Sequence, residues 1–131
     1  MVVAGHYLAA HAGFQILESG GNAIDAGCAA GIALGVLQSD LVNVAGVAPI
    51  ILFHAETQKV ITISGLGTWP KTIRPDLFSS SYEGHIPENV LRTVVPAAPD
   101  AWITALEHFG TMTFSEVAQA AIKFASEGFV M

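Results

Sequence analysis

A single cysteine, Cys28, excludes an intrachain disulfide and a cysteine-based metal cluster. It lies among alanines and glycines in a helical pattern, which predicts a small buried side chain rather than a reactive thiol. Basic residues are equally scarce. Lys59, Lys71, Arg74, Arg92 and Lys123 are scattered and the net charge is −6, so no stripe exists for nucleic acid and no such partner is expected. An uninterrupted apolar span is missing too. Between Ala26 and Phe53 the one charge, Asp40, leaves stretches of about 14 and 13 residues, and Gly27, Gly31, Gly35, Gly46 and Pro49 punctuate them. A spanning helix needs roughly 20 residues, so no membrane segment is expected. The start, Met1-Val2-Val3-Ala4-Gly5-His6, has no basic region of the kind that opens a signal peptide. A cytoplasmic location is therefore favoured, with a periplasmic or secreted one if a targeting segment was removed upstream.

Motifs that carry chemistry are also absent. His6, His11, His54, His85 and His108 show no metal-ligand spacing, and surface or polar-core roles are the expectation. Gly65-Leu66-Gly67 runs into Thr68-Trp69-Pro70 rather than into a helix, so it fails as a nucleotide loop. No nucleophile elbow or SxxK pattern surrounds Ser79-Ser80-Ser81, which reads as a solvated loop. No metal and no cofactor is expected.

What is present is hydrophobic. Apolar residues make up 52% of the chain, charged ones only 12%, and mean hydropathy is +0.54, against roughly 25% charged residues in ordinary soluble domains. At 131 residues the chain can bury one core, yet few charges remain for its surface. Much of that surface is expected to lie against more protein.

Leu8, Ala9, Ala12, Gly13, Ile16 and Leu17 recur at helical spacing, and Gly20-Gly21 stops the helix. Asn22 is placed to cap a second helix running to about Gln38, with Asp25 as a first-turn charge rather than a general base. The small residues of that helix predict tight packing on most sides. Ile50–Phe53 and Val60–Ile63 read as a hairpin, and 71–95 as mostly loop, with Pro75, Pro87 and Pro96 limiting helix length. Two more helices are expected, Ala97 to Phe109 and Phe114 to Glu127, each stopped by glycine; Thr113 or Ser115 could cap the second, with Glu116 in its first turn. The class is α+β, with a sheet that needs more than two strands.

The segment from Ala4 to Ala26, with Ala9-Ala10-His11-Ala12-Gly13 followed by Gly20-Gly21-Asn22-Ala23-Ile24-Asp25-Ala26, resembles the start of the gamma-glutamyltranspeptidase family. The resemblance continues through Ala33-Leu34-Gly35-Val36, the hairpin, Val95-Pro96, Phe109-Gly110-Thr111 and Ala125-Ser126-Glu127-Gly128-Phe129. It implies that residues 1–131 are the amino-terminal fragment of a large subunit, a partial αββα N-terminal-nucleophile hydrolase fold. Such enzymes are made as precursors that cut themselves. The threonine freed at the start of the small subunit attacks an amide carbonyl, with its own amino group as base. The implied partners are the remainder of the large subunit, the small catalytic subunit and a small-molecule amide or peptide substrate. The fragment alone is expected to be inactive.

Two departures from the family pattern follow. Where family transpeptidases carry D-G-R-E-T-A-P, this chain has Ser64-Gly65-Leu66-Gly67-Thr68-Trp69-Pro70. Leu66 thus stands where the resemblance puts an arginine that clamps the glutamyl carboxylate, and the loss of such a contact costs about 1.5–3 kcal/mol. The glycine run S-G-I-G-G-G-G-F appears as Val42-Asn43-Val44-Ala45-Gly46-Val47-Ala48-Pro49, a less permissive backbone. Together they imply a divergent, acylase-like branch, with Leu66, Gly67, Thr68 and Trp69 bordering the substrate. An alternative is a non-catalytic binding or scaffold module that kept the family's helices. A truncated piece, finally, would self-associate through its exposed apolar helices.

Overall fold

The computed structural model describes residues 1–74 and 76–130, so Pro75, named above as a helix limit, and Met131 lie outside it. Helix α1 (Tyr7–Glu18) opens on His6, whose Nδ1 accepts from the Leu8 amide at 3.2 Å, a cap that the spacing of the histidines gave no reason to expect. It closes on glycine as the sequence suggests. Gly20, at φ +93°, donates to the Leu17 carbonyl, and Gly21 donates to that of Ile16, the paired bonds of a left-handed helix stop.

Helix α2 (Ala23–Leu37) starts one residue after Asn22, whose side-chain oxygen accepts from the Ile24 and Asp25 amides at 2.8 and 3.0 Å. Asp25 reaches back to the Asn22 amide at 2.7 Å and completes a capping box. Small side chains then let other elements close in. Ala26, Ala29, Ala30 and Ala33 are buried, and α2 packs on α1, α4 (Ala98–Phe109), α5 (Phe114–Val117) and α6 (Gln119–Glu127). A Cβ added at Gly13 of α1 would stand 2.7 Å from the Ala26 carbonyl oxygen, so the α1–α2 approach depends on that glycine.

Cys28 is buried in this helix, with its thiol 3.9 Å from the Trp102 carbonyl. Burial, helped by the nearby Asp25 charge, pushes the thiol up to about 11. Thiolate is the reactive form. We therefore expect iodoacetamide at pH 8 to label native protein at least ~100-fold more slowly than an unhindered cysteine; labelling at the unhindered rate would contradict the buried placement.

Strands β1 (Ile50–His54) and β2 (Lys59–Ile63) pair antiparallel, with Ile50 opposite Ile63 and His54 opposite Lys59. Alternation sorts their side chains. Leu52 is buried, with Ile50 and Ile63 packed on the helical core, whereas Ile51, Phe53 and Val60 on the opposite face are 75%, 58% and 65% exposed. Covering an aliphatic or aromatic side chain is worth ~1.5–3 kcal/mol, so this bare apolar face is the physical form of the excess hydrophobicity read from composition. Helices plus an antiparallel pair make the class α+β.

Two expectations are corrected. The segment 71–95 contains a single-turn helix, α3 (Leu77–Ser81), and a 3₁₀ turn at Val90–Arg92, so Ser79, Ser80 and Ser81 sit exposed on a helix rather than in a loop. Phe78 holds α3 in place, buried against Trp69 with ring centroids 5.0 Å apart. The helix expected over Phe114–Glu127 is broken at Ala118. Val117 and Ala118 are both buried, and so is Ala121. Ala118 keeps right-handed helical dihedrals, φ −81° and ψ −10°, and the chain runs directly on into α6. Thr113 is the cap, its hydroxyl accepting from the Glu116 amide while the Glu116 carboxylate accepts from the Thr113 amide and hydroxyl.

Candidate functional site

The segment after β2 is held by backbone bonds to two others. The Gly65 carbonyl accepts from the Ala48 amide at 2.9 Å, and the Thr68 carbonyl accepts from the Val95 amide at 2.8 Å. The Gly46 carbonyl accepts from the amides of Ala97 and Ala98 at 3.3 and 3.2 Å, which ties the start of α4 to the same floor. Gly65 and Gly67 sit at φ +53° and +76°. Added Cβ atoms there would stand 2.1 Å from the carbonyl oxygens of Ala48 and Val95. Only glycine satisfies both the dihedral and the approach. In contrast, none of residues 42–49 has a positive φ, so this stretch tolerates its missing glycines.

A groove of about 470 Å³ opens over this floor, lined by Ser64, Gly65, Gly67, Thr68, Val95, Pro96, Ala97 and Asp100. Of the four residues expected at the site, Gly67 and Thr68 line it. Leu66 does not; it projects outward at 52% exposure. Trp69 turns instead toward Phe78. The groove offers hydroxyls from Ser64 and Thr68, backbone polar groups and the Asp100 carboxylate, and no basic side chain. Neither Ser64 nor Asp100 stood out in the sequence, since an acid in the first turn of a helix is an ordinary feature. No nucleophile with an adjacent base is assembled here. The groove can hold and orient a ligand.

Asp25 is the one buried charged group among the described residues. Besides the Asn22 amide, it accepts from the Thr111 hydroxyl at 2.7 Å, the Thr111 amide at 3.0 Å and the Met112 amide at 3.2 Å. Burial alone would push its carboxyl up, but the Thr111 hydroxyl and the amides of Asn22, Met112 and Thr111 outweigh that and hold it below the ordinary carboxylate value. Gly110 makes the approach feasible, since a Cβ there would stand 2.6 Å from Asp25 Oδ1. Asp25 is thus the first-turn charge expected, and also a tie between α2 and the α4–α5 turn. No grouping of three metal-ligating side chains occurs among the described residues, and no helix there is long and apolar enough to cross a membrane.

The sequence pattern of the family described as gamma-glutamyltranspeptidase matches residues 9–131. The chain belongs to this family. Among its relatives, the glutathione hydrolase-like YwrD proenzyme of Bacillus subtilis is 33% identical over 98% of this chain and 25% of its own length. The acylase ACY 1 proenzyme of a Pseudomonas species is 37% identical over all of this chain and again 25% of its own. The chain therefore spans about a quarter of the length of the curated relatives it matches. Its fold superposes on the Helicobacter pylori gamma-glutamyltranspeptidase with a TM-score of 0.86 at 26% identity, covering 98% of this chain and 38% of that one. A cephalosporin acylase from Bacillus halodurans gives 0.82 at 30% identity, over 95% and 23%. The Gly-Gly-Asn-Ala-Ile-Asp word at 20–25 coincides with the stop of α1, the cap of α2 and the Asp25 tie.

Proposed function

We propose that these residues form the amino-terminal part of the large subunit of an amide hydrolase or acyltransferase whose nucleophilic threonine lies outside them. The loop 64–69 forms part of the wall that receives the acyl group, and the enzyme favours acyl groups lacking the glutamyl carboxylate. One observation carries this reading. The loop is fixed by its glycines and backbone bonds, so Leu66 projects from a determined place beside the groove rather than into it, and it presents an apolar side chain where the family resemblance puts an arginine. Relatives named as acylases, as well as glutathione hydrolases, are consistent with a branch in which that charge is dispensable. In the reaction the threonine oxygen attacks the amide carbonyl, the amine leaves with a proton, and water or a second amine takes the acyl group from the ester.

Mass spectrometry of the purified full-length protein tests the precursor step. Two polypeptides are expected, the smaller beginning with threonine. A single uncut chain would favour the non-catalytic scaffold instead.

A further inference from the structure

Three helices among the described residues carry an acid in the first turn, and two of those acids are used by the helix they open. Asp25 and Glu116 accept from the amides of Asn22 and Thr113 at 2.7 Å each, completing capping boxes. Asp100 of α4 has no such use. The amide it would reach back to, that of Ala97, already donates to the Gly46 carbonyl, and α4 holds no lysine or arginine to pair with it. Among the described residues its carboxylate has neither a hydrogen-bond donor nor an ion-pair partner. It lines the groove over Gly65 and Gly67 instead. The other polar side chains of that groove are the hydroxyls of Ser64 and Thr68, which also make no hydrogen bond to another described residue. All three groups accept hydrogen bonds, and the only charge is negative. A primary ammonium has three donors and no acceptor, so one carboxylate and two hydroxyls match it group for group.

We propose that the groove is an ammonium subsite, in which Asp100 with Ser64 and Thr68 receives a protonated amine at the far end of the acyl group. The substrate class is then an amide of an ω-amino acid that has no carboxylate beside its amine. A gamma-glutamyl group does not satisfy this subsite. Its ammonium and carboxylate share one carbon, so bringing the first to Asp100 brings the second against the same negative charge, with no basic side chain in the groove to offset it. Asp100 thus sets specificity on the ligand, away from the reacting carbonyl. The inference rests on the reading of loop 64–69 as part of the acyl wall, and adds to it the charge of the group received.

The test compares 4-aminobutyryl and 6-aminohexanoyl anilides, each with its parent lacking the amine, on the full-length wild-type protein and on Asp100→Asn. In wild type, kcat/KM for at least one amine is expected to exceed that of its parent by ~5-fold or more, the upper end for an ion pair in contact with water. High salt should shrink that preference. Asp100→Asn keeps the shape of the side chain and removes its charge, so the ratio of amine to parent should fall to within ~2-fold of unity. No preference for either amine in wild type, or one that survives Asp100→Asn, would overturn the proposal. Equal losses on amine and parent would do so too, by making Asp100 a structural residue. Saturation-transfer NMR with n-butylammonium gives a readout that needs no turnover. Saturation in wild type that disappears in Asp100→Asn, with no anilide hydrolysed, keeps the subsite and discards the catalytic reading. Neither saturation nor hydrolysis discards both.

Discussion

Asp25→Ala is expected to lower the stability of the full-length protein by roughly 3–5 kcal/mol, the range for removing one partner of a buried charged network. Four donors lose their acceptor at once: the Asn22, Thr111 and Met112 amides and the Thr111 hydroxyl. A buried donor left unmatched costs ~1–3 kcal/mol, and water that enters the gap recovers part of the sum. Thr111→Val removes only the hydroxyl and should cost about 1–1.5 kcal/mol. Denaturant midpoints of the two variants separate a network from a single contact; equal, small effects would mean that Asp25 is merely a first-turn charge. The pH dependence has a definite sign. Because the folded carboxyl lies below its ordinary value, its contribution is complete above the unfolded value of about 3.9 and is lost as pH falls through the folded one. Acid should therefore narrow the gap between wild type and Asp25→Ala below about pH 4, and wild type should be the one that moves.

Gly65→Ala and Gly67→Ala are expected to cost roughly 2–5 kcal/mol each, from left-handed strain of ~1–2 kcal/mol together with overpacking of ~1–3 kcal/mol. The clashes are with backbone oxygens of Ala48 and Val95, which cannot turn aside as a flexible side chain would. Gly20→Ala is the internal control. Gly20 has φ +93° but nothing within 4 Å of an added Cβ, so the strain stands alone and ~1–2 kcal/mol should be lost. Thermal unfolding of the three variants should rank Gly20→Ala as the mildest. A loss of the same size in all three would show that the close approaches at the candidate site carry no weight.

Features set by local chemistry were legible in the sequence. Gly20-Gly21 followed by Asn22 and Asp25 is a helix stop, a cap and a first-turn acid within six residues, and the α1–α2 junction follows that reading. The hairpin was equally legible from two β-branched runs around a polar turn. What escaped was tertiary. Nothing in the pattern at 114–127 announces a break at Ala118, because no proline or glycine stands there. The turn of α3 depends on Phe78 meeting Trp69, nine residues earlier in the chain. At the candidate site, the word 64–70 falls on a loop beside a groove, but the course of the backbone puts Gly67 and Thr68 on that groove and Leu66 and Trp69 elsewhere. That division depends on the positive φ at Gly65 and Gly67, which composition does not reveal.

The central claim concerns selectivity, and Leu66 is where it can be measured. The butyryl group is the gamma-glutamyl group without its amino and carboxylate substituents, and of these two the carboxylate is the one that an arginine at this position would recognise. The decisive measurement is kcat/KM for both anilides with the full-length wild-type protein and with Leu66→Arg. The account predicts that wild type prefers the butyryl anilide and that Leu66→Arg moves the ratio toward the glutamyl one by roughly 10–100-fold, the equivalent of one charge-assisted contact of ~1.5–3 kcal/mol. A wild-type preference for the glutamyl anilide, unmoved by Leu66→Arg, would contradict it.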